Sequence, residues 1–366
     1  MNPLIDKLKA VKASGKPVIG CFPLYPPLEL LQALDLEPVV LWGLKPFYPR
    51  TPKSDQHLQN FVCSVGRHLA EFVLSEASDL VDGLFMYNAC DTLRNLPEIL
   101  QSGLEDAGRA KPIFNIHVPQ APRRQTDAAG YLADEIQNLI ETLGRHFGVE
   151  FSPSRFRATA EQQNRARTLA RELDAETASG RMSFRRLADL MYGNCFRPLD
   201  RQIQVMEAAL ETCRTAEPRT GPGVLLSGIM PPPSSVSSVI EEAGLRVAGN
   251  DIASLARSYA HSPDPALPPA DYYVDLYYNH FPCSTLLGTA DERPAALEAL
   301  AEERGARGII FLGEKFCEYE YFEFPHLEKR FKERGLHTLN LEFAIDDDQN
   351  PGPVRTRIEA FAELMS

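Results

Sequence analysis

Residues 82–100 read DGLFMYNACDTLRNLPEIL. The apolar run Gly83–Tyr87 stops at a polar turn, and Cys90 and Asp91 follow. Leu93, Leu96 and Leu100 then recur at helical spacing. A continuous apolar run without alternation marks a strand covered on both faces, as in a parallel sheet. The same order returns at 307–327, RGIIFLGEKFCEYEYFEFPHL, with Cys317 at the strand end. Strand, polar turn, cysteine, acidic residue and helix thus occur twice, more than 200 residues apart.

Outward from the first stretch, 17–22 and 38–43 read as strands around a short helix at 27–35, and 111–119 as a further strand. Residues 58–77 carry apolar residues at helical spacing. Around the second stretch, 223–229, 245–251, 306–313 and 337–343 read as strands. Helical patterns at 234–244 (ending at Gly244), 291–305, 326–335 and 353–365 separate or follow them. Strands alternating with helices predict an α/β fold with parallel sheets. Residues 127–216 look helical almost throughout, broken at GVEFSPS and NCFRP, and RTGPG (219–223) reads as a boundary. The expected organisation is an N-terminal α/β domain (1–126), a helical segment (127–219) and a C-terminal α/β domain (220–366). The Pro-rich HSPDPALPPADYY (261–273) is expected to be a surface excursion.

The net charge of −12 lacks the basic footprint that sequence-independent nucleic-acid binding needs. No apolar run reaches the roughly 18–20 residues of a membrane span, and the N-terminus lacks a signal-peptide core. The reading is a cytoplasmic protein that uses neither nucleic acid nor membrane. Seven cysteines (21, 63, 90, 195, 213, 283, 317) are odd in number and dispersed, unlike a secreted disulfide framework. Cys21, Cys195 and Cys213 lie within strand or helix patterns and read as buried hydrophobes. Cys90 and Cys317 lie at strand ends, where ligands gather in parallel sheets, and two facing α/β units would aim both at one cleft. Such spacing excludes CxxC ribbons and clustered ferredoxin runs, yet permits an iron–sulfur cluster whose thiolates come from separate loops. No GxGxxG follows a strand, and Walker A, GxSxG and HExxH motifs are absent. His280 stands close to Cys283, which leaves a Cys–His nucleophile pair or a polar turn residue open.

LQNFVCSVGRH, NACDTLRNL, FPCSTLLG, EKFCEYEYFEFPHLEKRFKERGLHTLNLEF and VRTRIEAFAEL, taken in order, resemble the 2-hydroxyacyl-CoA dehydratase and benzoyl-CoA reductase family. PLELLQALDLEPVVLWG is similar to its N-terminal acidic element. CDTLRNL and FCEYEYFEFP look closer to the benzoyl-CoA reductase subunits. Where the family often has an aspartate after LEF, this chain has Ala344.

The resemblance implies two Rossmann-like domains flanking a cleft that holds a [4Fe–4S] cluster on Cys63, Cys90 and Cys317. It implies one-electron reduction of an acyl-CoA thioester, a dimer with itself or a paralogous subunit, and a separate ATP-hydrolysing iron–sulfur activator. The missing Walker motifs suit a catalytic subunit rather than the activator. Two alternatives stay open: a double-cubane [8Fe–9S] reductase of another small molecule, and a non-catalytic electron-transfer scaffold paired with a catalytic paralogue. Cys283 matches a Pro-Cys element but is not counted as a ligand. His280 and Glu318 are the candidate proton donors, and Arg67, Arg94, Arg123 and Arg124 the candidates for CoA phosphates. Phe316, Tyr319, Tyr321 and Phe322 either shield the cluster or pack a helical turn into the domain interface.

Overall fold

The computed structural model describes residues 2–121, 127–343 and 352–365. The first unit contains α1 (Pro3–Lys12), β1 (Val18–Cys21), α2 (Leu28–Ala33), β2 (Glu37–Val40), α3 (Ser64–Leu74), β3 (Gly83–Tyr87), α4 (Asp91–Asp106) and β4 (Ile113–Ile116). Four helices follow: α5 (Ala128–Phe147), α6 (Pro153–Ala178), α7 (Phe184–Asn194) and α8 (Leu199–Cys213). The second unit contains β5 (Gly223–Gly228), α9 (Ser234–Glu242), β6 (Arg246–Asn250), α10 (Ala256–Tyr259), α11 (Pro269–Tyr278), α12 (Arg293–Glu303), β7 (Gly308–Glu314), α13 (Glu318–Glu333), β8 (His337–Phe343) and α14 (Gly352–Glu363). Among the described residues, no helix is long and apolar enough to cross a membrane.

Both sheets have four parallel strands and the same order, β2-β1-β3-β4 and β6-β5-β7-β8. Every residue of β3, β5 and β7 is buried, because helices or loops cover both faces of a central strand. The edge strands β4 and β8 leave Asn115, Asn340 and Glu342 exposed, which explains their polar alternation. In each sheet the strand order reverses between the first and third strands. A crevice opens there at the carboxyl ends, the usual ligand position in such folds. Asn88–Cys90 and Lys315–Cys317 leave β3 and β7 at these two crevices.

The middle helices join the units: α6 packs on α2 of the first and on β6 of the second. Two expectations are corrected. The helix expected across 58–77 begins only at Ser64, so Cys63 precedes it. The Pro-rich segment is a surface excursion only as far as residue 268. From Pro269 it forms α11, whose Tyr272 and Tyr273 are completely buried in the core of the first unit. Proline suits a first helical turn, and both phenol hydroxyls reach the buried carboxylate of Glu29, at 3.0 Å each.

Candidate functional site

Cys63, Cys90 and Cys317 are each the residue immediately before a helix, α3, α4 and α13 respectively. Two come from the first unit and one from the second. They meet closely enough that Cys63 and Cys90 both act on the ionisation of Cys317, and Cys90 acts on that of Cys63. The turn to Cys317 is sharp. Phe316 takes a left-handed conformation (φ 66°), costing on the order of 1 kcal/mol, and the Cys317 N–H bonds Glu314 O at 2.9 Å. Across the cleft, the Ser64 hydroxyl beside Cys63 donates to the Glu314 carboxylate near Cys317.

Burial pushes the Cys63 thiol up to about 12, with Cys90 and Glu314 adding to the shift. Burial likewise raises Cys90, and raises Cys317 strongly with Glu320 and Cys63 contributing. Opposing this, first-turn N–H groups face the sulfurs: Val65 and Gly66 at Cys63, Thr92 and Leu93 at Cys90, Glu320 at Cys317. Without a metal these are protonated, desolvated thiols, and a bound metal ionises a coordinating thiol outright. Three helix N-termini then stabilise the anionic sulfurs. Among the described residues, no three His, Cys, Asp or Glu side chains are gathered to hold a single ion. Thiols from separate loops are the donor type that iron–sulfur clusters use.

A cavity of about 490 Å³ adjoins these loops. Ser64, Val65 and His68 of α3, Glu314 and its strand neighbour Phe343, Tyr192, and the β5–α9 turn (Met230–Ser234) line it. Ser64 and His68 are four residues apart on α3 and share one face, a spacing readable in CSVGRH once the helix start is known.

The other candidates are placed differently. His280 is buried in the wall of a second, smaller cavity. Its Nδ1 lies 2.6 Å from Phe281 O, and burial pushes its pKa down to about 3. Glu318 is exposed at the start of α13, within electrostatic reach of Cys90. Cys283 is fully buried, and Arg257 Nη1 donates to its sulfur at 3.1 Å. Burial raises this thiol, but Arg257, Thr285 and Tyr25 outweigh it and the net shift is downward. Nothing in the sequence around Cys283 announced Arg257, 26 residues away. Cys21 and Cys213 are buried, as their patterns predicted, whereas Cys195 follows the end of α7 and is only partly buried. Arg67 pairs with Asp55 at 2.6 Å and Arg94 with Asp91 at 3.6 Å. Arg123, Arg124 and Ala344 lie outside the described residues. Phe316 and Phe322 are exposed, so these two do not pack into the domain interface. Tyr321 donates to Glu342 at 2.6 Å.

Glu320 is completely buried, and desolvation raises its pKa to about 8 against the attraction of Arg257 and Arg293. The folded chain therefore keeps a proton that the unfolded chain, with an ordinary value of 4.5, releases. Stability from this group falls as pH rises between those values. It should decline by about 2 kcal/mol from about pH 6.5 to about pH 8. Chemical denaturation at the two pH values checks this, and Glu320→Gln should remove that part of the slope. An unchanged slope in the variant would refute the assignment.

The family model for the 2-hydroxyglutaryl-CoA dehydratase D-component matches residues 23–365. The chain is 25% identical to the (R)-phenyllactyl-CoA dehydratase beta subunit of Clostridium sporogenes, covering 100% of this chain and 96% of that one. It is 25% identical to the beta subunit of the (R)-2-hydroxyglutaryl-CoA dehydratase of Acidaminococcus fermentans, covering 98% and 95%. It is 23% identical to a subunit of the benzoyl-CoA reductase of Thauera aromatica, covering 95% and 91%. With two parallel sheets that place three cysteines at one cleft, and a match along nearly its whole length, the chain belongs to the 2-hydroxyglutaryl-CoA dehydratase D-component family.

Proposed function

We propose that this chain is the iron–sulfur catalytic subunit of an enzyme that dehydrates or reduces an acyl-CoA thioester. The observation that carries the reading is the convergence of Cys63, Cys90 and Cys317, each at a helix N-terminus, beside a cavity. These three thiolates would hold a [4Fe–4S] cluster, which supplies low-potential one-electron chemistry when bound.

The chain's own residues do the rest. The first-turn N–H groups of α3, α4 and α13 hold negative charge on the sulfurs. The Ser64–Glu314 hydrogen bond ties the Cys63 helix to the Cys317 strand and fixes the width of the cleft. The apolar cavity wall keeps water from the reacting group. Phe61, Phe316 and Phe322 are large, exposed apolar side chains on or near the cysteine loops, and they suit contact with a second subunit or an activator. The relatives named above are themselves subunits.

Anaerobically purified protein should carry about four irons and four sulfides per chain, and about eight irons would indicate the double-cubane alternative. No iron would overturn the reading. With a paralogous subunit and an ATP-hydrolysing activator, the loaded protein should turn over an acyl-CoA thioester. A loaded chain that passes electrons to its partner without turnover of its own would make it the electron-transfer scaffold instead.

A further inference from the structure

We propose that Asp251 is a positioning residue for the cysteine cleft. Its buried carboxylate holds, through Arg293, the helix that begins at Cys317, and, through Arg257, the Tyr25 turn of the first unit. That the positioned thiols carry a cluster rests on the reading above, whereas the contacts stand without it.

Asp251 follows β6, and its side chain and those of Arg257 and Arg293 are completely buried. One oxygen, Oδ2, takes both guanidinium groups: Arg293 Nε at 3.0 Å and Nη2 at 2.9 Å, and Arg257 Nη2 at 3.4 Å. Toward α13, Arg293 Nη1 donates to Glu323, while its Nη2 also donates to Ser227 of β5 at 2.8 Å. Toward the first unit, Arg257 Nη1 donates to Cys283 Sγ, which lies 3.4 Å from the Tyr25 hydroxyl. Tyr25 also donates to Ala253 O, two residues past Asp251, at 3.1 Å. Arg257 spends its other donors on the Asp251 and Gly228 carbonyls. Two guanidinium groups thus meet two carboxylates, in an interior where an unpaired ion costs several kcal/mol. Cys283 serves here as an acceptor that completes Arg257.

Both ends of this network are turns that do not hold themselves. Tyr25 has φ 67°, and Phe316, just before Cys317, has φ 66°. Left-handed backbone at such residues costs on the order of 1 kcal/mol and persists only where the surroundings impose it. The attraction of Arg257 and Arg293 also reaches Glu320 in the first turn of α13, whose N–H faces the Cys317 sulfur. A second tie on α13 lies far from the cysteine: Arg330 donates to Glu298 of α12 at 2.5 Å. It fastens the same helix and supplies the comparison.

The test is hydrogen exchange on the anaerobically purified chain, with iron content and the paramagnetic resonance of the reduced protein measured alongside. Glu323→Ala should speed exchange at 318–323 about tenfold relative to the β3 amides. It should also move the g values while iron stays near the wild-type level. Glu323→Gln, whose amide oxygen still accepts from Arg293, should restore both. Cys283→Ala should speed exchange at 28–31, just after the Tyr25 turn, and leave 318–323 alone. Asp251→Asn should loosen both stretches in one variant. Arg330→Ala should loosen only the last turn of α13 and leave the g values unchanged. Glu323→Ala behaving as wild type would overturn the proposal. So would an equal effect of Arg330→Ala on 318–323, or Asp251→Asn loosening one stretch only. The Glu323 and Cys283 arms decide even where Asp251→Asn fails to fold. A wild type without iron would count against the cluster reading, and the exchange arms would still decide the positioning.

Discussion

Replacing Cys63, Cys90 or Cys317 singly by alanine should drop bound iron from about four per chain to below about one. Each thiol projects from a different loop, and none has another cysteine nearby in sequence to take its place. Two thiolates would leave half the cube without protein ligands, and the helix N-terminus at the vacant corner has no anion to stabilise. The fold should survive, because helix ends tolerate alanine at a cost of about 1 kcal/mol. Iron analysis, visible absorbance and far-ultraviolet circular dichroism on the three variants provide the measurement. Cys283→Ala and Cys21→Ala are the controls and should keep their iron. Cys283 is buried beside Arg257, and Cys21 lies in β1 with its thiol pushed far up by burial. If Cys283→Ala loses iron as completely as the three, the ligand set is wrong.

The second large effect concerns stability. Glu29 of α2 is completely buried. Its carboxylate pairs with Arg167 of α6 and accepts hydrogen bonds from Tyr272 and Tyr273 of α11, at 3.0 Å each. This one side chain ties the first unit to the middle helices and to a segment 243 residues away. Glu29→Ala leaves Arg167, whose side chain is 10% exposed, and two phenol hydroxyls without their acceptor. The expected loss is about 3–5 kcal/mol, because breaking a buried pair strands a charge. That is a large fraction of a typical stability of about 5–15 kcal/mol. Urea denaturation measures it. Adding Arg167→Met should recover part of the loss, since the double variant strands no charge. A loss below about 1 kcal/mol would show that the network stabilises little. The acidic element near the N-terminus thus has a structural role in this chain.

Much of the fold was legible because parallel strands leave a strong local trace. GLFMY and GIIFLG are buried on both faces and read as unbroken apolar runs, while IFNI and LNLEF alternate because they lie at sheet edges. Cys90 and Cys317 could be placed at strand ends for the same reason. Cys63 was harder. The apolar spacing of 58–77 runs through it without a break, and only the structure shows α3 starting at Ser64. The burial of α11 was missed because prolines signal exposure locally, whereas Glu29 supplied the polar partner that let two tyrosines go inside. His68 carried a faint signal in its spacing from Ser64, but nothing local showed that its Nε2 would find no partner among the described residues.

By itself, the sequence determined the α/β class, the two strand–cysteine–helix units and, through motif resemblance, the family. These depend on periodicity and residue type, which act over a few residues. Tertiary structure alone decided which groups meet. It brought Ser64 to Glu314 across 250 positions and Arg257 to Cys283, and it built one cavity from six separate parts of the chain. Burial, charge pairing and the cost of an unpaired polar atom arise only when distant segments exclude water together. Linear spacing therefore carries no trace of them.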